Sequence, residues 1–166
     1  MIAVYFQVDN TTLDQLKQAQ GDNLLQQIEA LEGQANIPQV DIGKLWDVMH
    51  FILTEKSAST PVPDSPFSEM LVGVETFSDD EDADFIAYCT WAEIAEIVEA
   101  LEQVNFAKRL EKMKLKSLRQ AKLFPEGIWN DKKPNLDKEL LASFNELKAL
   151  YENALDGGDN VVVTIL

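Results

Sequence analysis

Short apolar runs predict strands at both ends of the chain. Residues 1–8 (MIAVYFQV) are rich in β-branched and aromatic side chains, and residues 160–166 (NVVVTIL) are largely β-branched. Two further runs, at 70–74 (MLVGV) and 85–89 (FIAYC), predict inner strands. We therefore expect a small mixed β-sheet that includes the N-terminal and C-terminal strands.

Helical periodicity dominates the second half of the chain. Thr90 and Glu93 have the spacing of a capping box, and apolar residues follow them at helical intervals. Residues 136–155 repeat leucine and aromatic side chains on one face, which predicts a long amphipathic helix. Together with the strands, these helices predict an α+β fold, and a chain of 166 residues is typical of one domain over residues 1–166.

The most apolar helix is predicted at residues 41–53, where Asp41 can cap the first turn. Apolar side chains occupy nearly every side of this segment, which is typical of a buried helix. Residues 54–68 contain three prolines and predict a long irregular loop.

The charge of the chain is strongly acidic and unevenly distributed. The net charge is -15, and residues 1–83 contain three lysines against 15 acidic residues. Such a surface repels phosphate backbones, which argues against general nucleic-acid binding, and it favours a basic protein partner. The candidate contact for that partner is the acidic segment Asp79, Asp80, Glu81 and Asp82. Toxin neutralisation is one form that such binding takes, by analogy with small acidic toxin-neutralising proteins of this size and charge.

The cysteine content and the hydropathy pattern predict a cytosolic protein. Cys89 is the only cysteine, so no intrachain disulfide can form. No apolar run approaches the roughly 20 residues that span a bilayer. The first ten residues lack the basic start of a signal peptide. We expect no contact with membranes.

No metal site and no cofactor are predicted. A single histidine and a single cysteine make a tight zinc or copper site unfavourable. Asp80, Asp82 and Asp84 begin like an EF-hand loop. However, Phe85 and Trp91 stand where that loop requires glycine and a bidentate glutamate. The glycine-rich phosphate loops and the common hydrolase motifs are absent.

The candidate residues of a pocket or structural motif are Asp41, Trp46, Asp47 and His50, and a helix would bring Trp46 and His50 to one face. His50 could act as a general base or a ligand-binding group beside an aromatic wall. Alternatively, it is a core histidine that Asp47 or a backbone carbonyl satisfies. Cys89 could pair with His50 as a nucleophile, or it could be a small buried apolar residue at a strand end.

A run of seven basic residues lies between positions 108 and 122, with only Glu111 against it. On one continuous helix, Lys108, Lys112, Lys116 and Arg119 would form a single stripe. The stripe could bind phosphate or an acidic partner. It could equally be a solvated face whose charge offsets the acidic first half.

The segment VDIGKLWDVMHFILT at residues 40–54 resembles the signature of the YfbM-like family, a bacterial family of unknown function. The family pattern is D-x-x-K-x-W-x-x-[hydrophobic]-H-F-x-L-T-G. The matching residues are Asp41, Lys44, Trp46, His50, Phe51, Leu53 and Thr54. Glu55 departs from the pattern, because the family often has glycine there, and Met1-Ile2-Ala3 replaces a glycine-rich start. The resemblance covers most of the chain and implies a compact α+β domain but no activity.

Two functions from different classes remain open at this point. The leading one is a non-enzymatic acidic protein-interaction module, with toxin neutralisation as one form of it. The alternative is a small-molecule-binding protein or an enzyme with a pocket around Trp46, Asp47 and His50. A concave pocket that reaches His50 would favour the alternative, and a buried His50 would favour the module.

Overall fold

Five strands form one antiparallel sheet at the centre of the computed structural model, which describes residues 1–166. The strands are β1 (Ala3–Val8), β2 (Gln39–Gly43), β3 (Glu75–Thr76), β4 (Phe85–Cys89) and β5 (Asn160–Ile165). Their order is β2-β1-β5-β4-β3. The first and last strands pair, so their predicted place in one sheet is confirmed. The sheet is antiparallel rather than mixed, because every strand runs opposite to its neighbours.

Helices cover both faces of this sheet. They are α1 (Asn10–Gln18), α2 (Asp22–Glu32), α3 (Trp46–Thr54), α4 (Pro66–Val72), α5 (Trp91–Gln103), α6 (Phe106–Lys112), α7 (Leu115–Gln120) and α8 (Lys133–Gly157), with a short 3-10 turn at Ile128–Asn130. Helices α1 and α2 pack on one face, and the others build the larger core on the opposite face. No helix combines the length and the apolar character that crossing a bilayer would require.

The α+β class and the most locally encoded helices are confirmed. Thr90 and Glu93 form the predicted capping box at the start of α5, where the Thr90 N–H donates to the Glu93 carboxylate at 2.6 Å. The long C-terminal helix α8 is present. The continuous apolar run at residues 161–163 of β5 follows from the central position of this strand, because its alternating side chains reach the two different cores.

The predicted strand at residues 70–74 is wrong, because this segment belongs to helix α4 and its exit. Three buried groups from distant elements donate to successive carbonyls of the helix. Cys89 Sγ donates to the Glu69 carbonyl, Tyr151 donates to Met70, and Tyr5 donates to Leu71. These contacts satisfy the end of the helix from outside the segment.

The predicted helix at residues 41–53 starts too early. Residues 39–43 pair with β1 as strand β2, and α3 begins at Trp46. Asp41 therefore caps no helix, and its carboxylate accepts a hydrogen bond from the Gly43 N–H at 2.7 Å. Gly43 has a φ of 57°, a conformation that glycine adopts without strain and that turns the chain from β2 into α3.

Candidate functional site

Trp46 packs a distant segment of the chain against the start of α3. Its ring stacks on Phe124 with the ring centroids 5.3 Å apart. Its indole N–H donates to the Met1 carbonyl at 3.4 Å, and only 8% of the residue is exposed. The ring is therefore a packing surface inside the molecule rather than the wall of an open pocket.

Asp47 is buried, and its carboxylate joins two loops to α3. Oδ1 accepts hydrogen bonds from the Ser57 hydroxyl at 2.9 Å and from the Ala58 N–H at 2.7 Å. Oδ2 accepts from the Phe124 N–H at 2.8 Å. A buried carboxylate needs such donors to offset the loss of water. Both oxygens are thus occupied by the protein's own groups.

His50 is fully buried, and both of its ring nitrogens are hydrogen bonded. The Lys56 carbonyl lies 2.7 Å from Nδ1 and can only accept, so Nδ1 carries the proton and donates to it. Nε2 then accepts from the Ser68 hydroxyl at 2.8 Å. The Ser68 oxygen itself accepts from the Val62 N–H at 3.0 Å. The neutral imidazole satisfies every partner in this chain of hydrogen bonds.

The burial of His50 lowers its pKa below the ordinary value of 6.5, because removal from water penalises the charged ring. The Lys56 carbonyl and the negative charge of Asp47 act in the opposite direction without reversing it. Since the folded state binds this proton less readily than the unfolded chain, the contribution of His50 to stability is complete above about pH 6.5. It is lost progressively as the pH falls below that value.

We expect the imidazole of His50 to titrate with a midpoint below 6.5 in the folded protein. His50 is the only histidine, so its Hε1 resonance in a proton NMR titration reports this group alone. The same titration in concentrated urea is the control and should return the ordinary value. A folded midpoint at or above 6.5 would mean that water reaches the ring.

Ser68 is a member of this network that the sequence analysis missed. Its hydroxyl and His50 Nε2 have the hydrogen bond that links a nucleophile to its base in many hydrolases. Both residues are buried, however, so no substrate reaches them in this conformation. If residues 66–72 had been predicted as a helix, Ser68 would have been noticeable. It would have been a polar residue on a helix that also buries Leu71 and Val72.

Cys89 does not join this group. Its Sγ donates to the Glu69 carbonyl at 3.3 Å, and His50 has other partners on both nitrogens. Burial raises the pKa of the Cys89 thiol well above its ordinary value, with the charge of Glu93 adding to the effect. The thiol is therefore protonated and shielded, which is the opposite of an activated nucleophile.

The remaining candidate residues lie elsewhere. Asp41 is exposed on β2 and lines a surface cleft with Glu126 and Asp131. The acidic segment 79–82 is exposed in the loop between β3 and β4. The structure thus brings Trp46, Asp47 and His50 together on α3 and leaves Asp41 outside. No group of three or more His, Cys, Asp or Glu side chains is arranged to hold a metal ion.

An open cleft of about 720 Å³ lies beside the C-terminal end of α3. It is lined by Phe51, Ile52, Leu53, Thr54, Glu55, Arg109, Lys112, Met113, Lys114 and Ser117. Trp46, Asp47 and His50 do not border this cleft. The part of the α3 region that lines it is the segment 51–55, which follows them in the chain.

Comparison with known proteins assigns the chain to a family. The profile of a domain of unknown function, DUF1877, matches residues 1–164. The chain belongs to the DUF1877 family. Protein YfbM of Escherichia coli (strain K12) is 25% identical over 171 residues, which cover 100% of this chain and 98% of that protein. The resemblance to the YfbM-like family is therefore confirmed.

A solved structure shows the same fold. The crystal structure of YfbM from Escherichia coli, a protein of unknown function, matches with a TM-score of 0.81 at 22% identity. The match covers the whole of both chains. It supports the α+β architecture of this DUF1877 member and says nothing about activity.

The departure of Glu55 from the YfbM-like pattern has a conformational consequence. Glu55 ends α3 in the left-handed region, with φ 62° and ψ 18°. Glycine adopts this conformation without steric cost, which accounts for the glycine that the family often has there. In this DUF1877 chain a charged side chain occupies the position and borders the open cleft.

Proposed function

We propose that residues 1–166 act as one cytosolic bacterial domain, a non-enzymatic module that binds a basic protein. The contact surface is the acidic loop, defined here as residues 78–84 between β3 and β4. One observation supports it most directly: the whole loop is exposed, and none of its carboxylates has an ion-pair partner. A cluster of unpaired negative charges speeds encounter with a positively charged surface.

An exposed aromatic residue beside the acidic loop supplies a second element of a binding surface. Phe85 follows the loop directly and is 37% exposed. Aromatic side chains at the centre of an interface often carry much of its binding energy. The partner would therefore present basic side chains around an apolar contact. Toxin neutralisation would be one instance of such binding.

The alternative of an enzyme or small-molecule site around Trp46, Asp47 and His50 has less support. The carboxylate and the imidazole are each hydrogen bonded to the protein on both polar atoms. General acid–base catalysis requires such a group to be within reach of substrate. The network instead holds the segment 56–62 against α3 and α4, which is a structural role.

A charge-neutralised variant tests the module. The immobilised wild type should retain basic proteins from a bacterial lysate in low salt. We expect an immobilised variant not to retain them when it combines the changes Asp79→Asn, Asp80→Asn, Glu81→Gln and Asp82→Asn. Raising the salt from 0.1 M to 1 M should have the same effect, since the screening length shrinks from about 10 Å to about 3 Å. For a purified partner, stopped-flow association should slow by about tenfold.

The matched control neutralises four exposed acids on α1 and α2: Asp14→Asn, Asp22→Asn, Glu29→Gln and Glu32→Gln. It changes the net charge by the same amount but leaves the acidic loop intact. The control should keep the partners that the loop variant loses. Equal loss in both variants would mean that only total charge matters. Retention that salt does not affect would reject electrostatic binding.

A further inference from the structure

The predicted basic stripe does not exist as one helical face, because the chain breaks between α6 and α7. Met113 and Lys114 are extended, with ψ values of 133°. This break brings Arg109, Lys112 and Lys114 around the open cleft at the end of α3. Lys108 and Lys116 do not line this cleft. We call the cleft lined by residues 51–55, 109, 112–114 and 117 the basic cleft.

The charge of the basic cleft is unusual for this chain. It contains three cationic side chains and one acidic one, Glu55, although the chain has 29 acidic and 14 basic residues. Neither of the two ion pairs in the structure, Lys133–Asp137 and Lys148–Glu152, involves these cations. Cations gathered without carboxylate partners create a local positive potential that an anion would neutralise.

Arg109 is held in position by groups that leave part of its guanidinium free. Nη1 donates to the Leu53 carbonyl at 2.8 Å, and the guanidinium carbon lies 5.5 Å from the centre of the Phe67 ring. Nε and Nη2 have no hydrogen-bond partner in the protein. A planar guanidinium with free donors matches the geometry of carboxylate and phosphate oxygens.

The rest of the lining is apolar enough to hold more than a bare ion. Phe51 is half-buried at the cleft, and Met113 contributes a largely buried thioether. Ser117 adds a hydroxyl that has no hydrogen-bond partner in the protein. A volume of about 720 Å³ lies within the range of clefts that bind small organic ligands.

We propose that the basic cleft binds a small organic anion, in which a carboxylate or phosphate group is attached to a flat apolar part. The anionic group lies against Arg109, Lys112 and Lys114, and the apolar part lies against Phe51 and Met113. This site is distinct from the acidic loop in residues and in sign of charge. Each proposal can therefore fail without affecting the other.

The fluorescent dye 1-anilinonaphthalene-8-sulfonate is a suitable probe, because it combines one anionic group with flat aromatic rings. We expect saturable binding to one site on the wild type. The double variant Lys112→Gln, Lys114→Gln should bind the dye about tenfold more weakly, because it loses two charged contacts. The uncharged analogue N-phenyl-1-naphthylamine should also bind the wild type about tenfold more weakly.

The matched control is the double variant Lys108→Gln, Lys116→Gln, which removes the same charge from the same stretch of chain outside the cleft. It should bind the dye within about twofold of the wild type, since surface charges are screened. Equal loss in both double variants would overturn the proposal, as would equal affinity for the uncharged analogue or no binding of the dye at all.

A measurement on the unaltered protein keeps the test independent of variant folding. In a ¹⁵N-labelled sample, the dye should shift the amide resonances of residues 51–55 and 109–117. Shifts confined to α1, α2 or the acidic loop would place the dye elsewhere and reject the basic cleft as the site.

Discussion

Replacement of Asp47 by alanine is expected to lower the free energy of unfolding by about 3–5 kcal/mol, because it leaves several donors without an acceptor. The Ala58 and Phe124 N–H groups and the Ser57 hydroxyl all donate to this one carboxylate. Removing it weakens the attachment of two segments to α3 at once. Urea unfolding followed by circular dichroism at neutral pH measures the loss.

Asp41→Ala is the control for this prediction. Asp41 is exposed, and its carboxylate accepts only from the nearby Gly43 N–H. Its replacement should cost about 1 kcal/mol or less. Asp47→Asn should fall between the two, since the amide keeps one acceptor oxygen but turns its NH₂ toward another donor. A loss below about 1 kcal/mol for Asp47→Ala would show that water replaces these bonds, and the pocket hypothesis would regain support.

Trp46→Ala is expected to cost a similar amount, about 3–5 kcal/mol, the range for truncating a large aromatic residue in a core. The indole stacks on Phe124 at 5.3 Å and is almost entirely buried. Its loss leaves a cavity between the start of α3 and the segment that contains Phe124. A thermal or urea melt gives the change directly.

Trp91→Ala provides the comparison, because the residue type is the same and the environment differs. Trp91 is 49% exposed and donates to the Leu155 carbonyl at 2.9 Å. Its replacement should cost about 1 kcal/mol. If both variants lose equal stability, the burial of Trp46 and its stacking on Phe124 contribute little to the free energy of unfolding.

The candidate residues on α3 were predictable, but their roles were not. The pattern of residues 40–54 singled out Trp46, Asp47 and His50, and the structure places all three on one helix. Their partners are Phe124, Ser57, Ala58, Lys56 and Ser68, which lie in loops or in a helix that the sequence did not predict. A hydrogen-bond partner far along the chain leaves no periodic signal, so the sequence could not distinguish a buried network from an open pocket.

The sequence by itself determined the elements whose signals are local: the capping box at Thr90, the long helix α8 and the apolar terminal strand β5. In these cases a cap, a helical repeat or a β-branched run acts within a few residues. Only the tertiary structure decided that residues 39–43 form a strand and that 66–72 form a helix. The backbone groups of the first segment are satisfied by β1, and the end of the second by Tyr5, Tyr151 and Cys89. The tertiary structure also determines the break between α6 and α7, which brings the cations of the basic cleft together. Side chains on both sides of this break pack into one core.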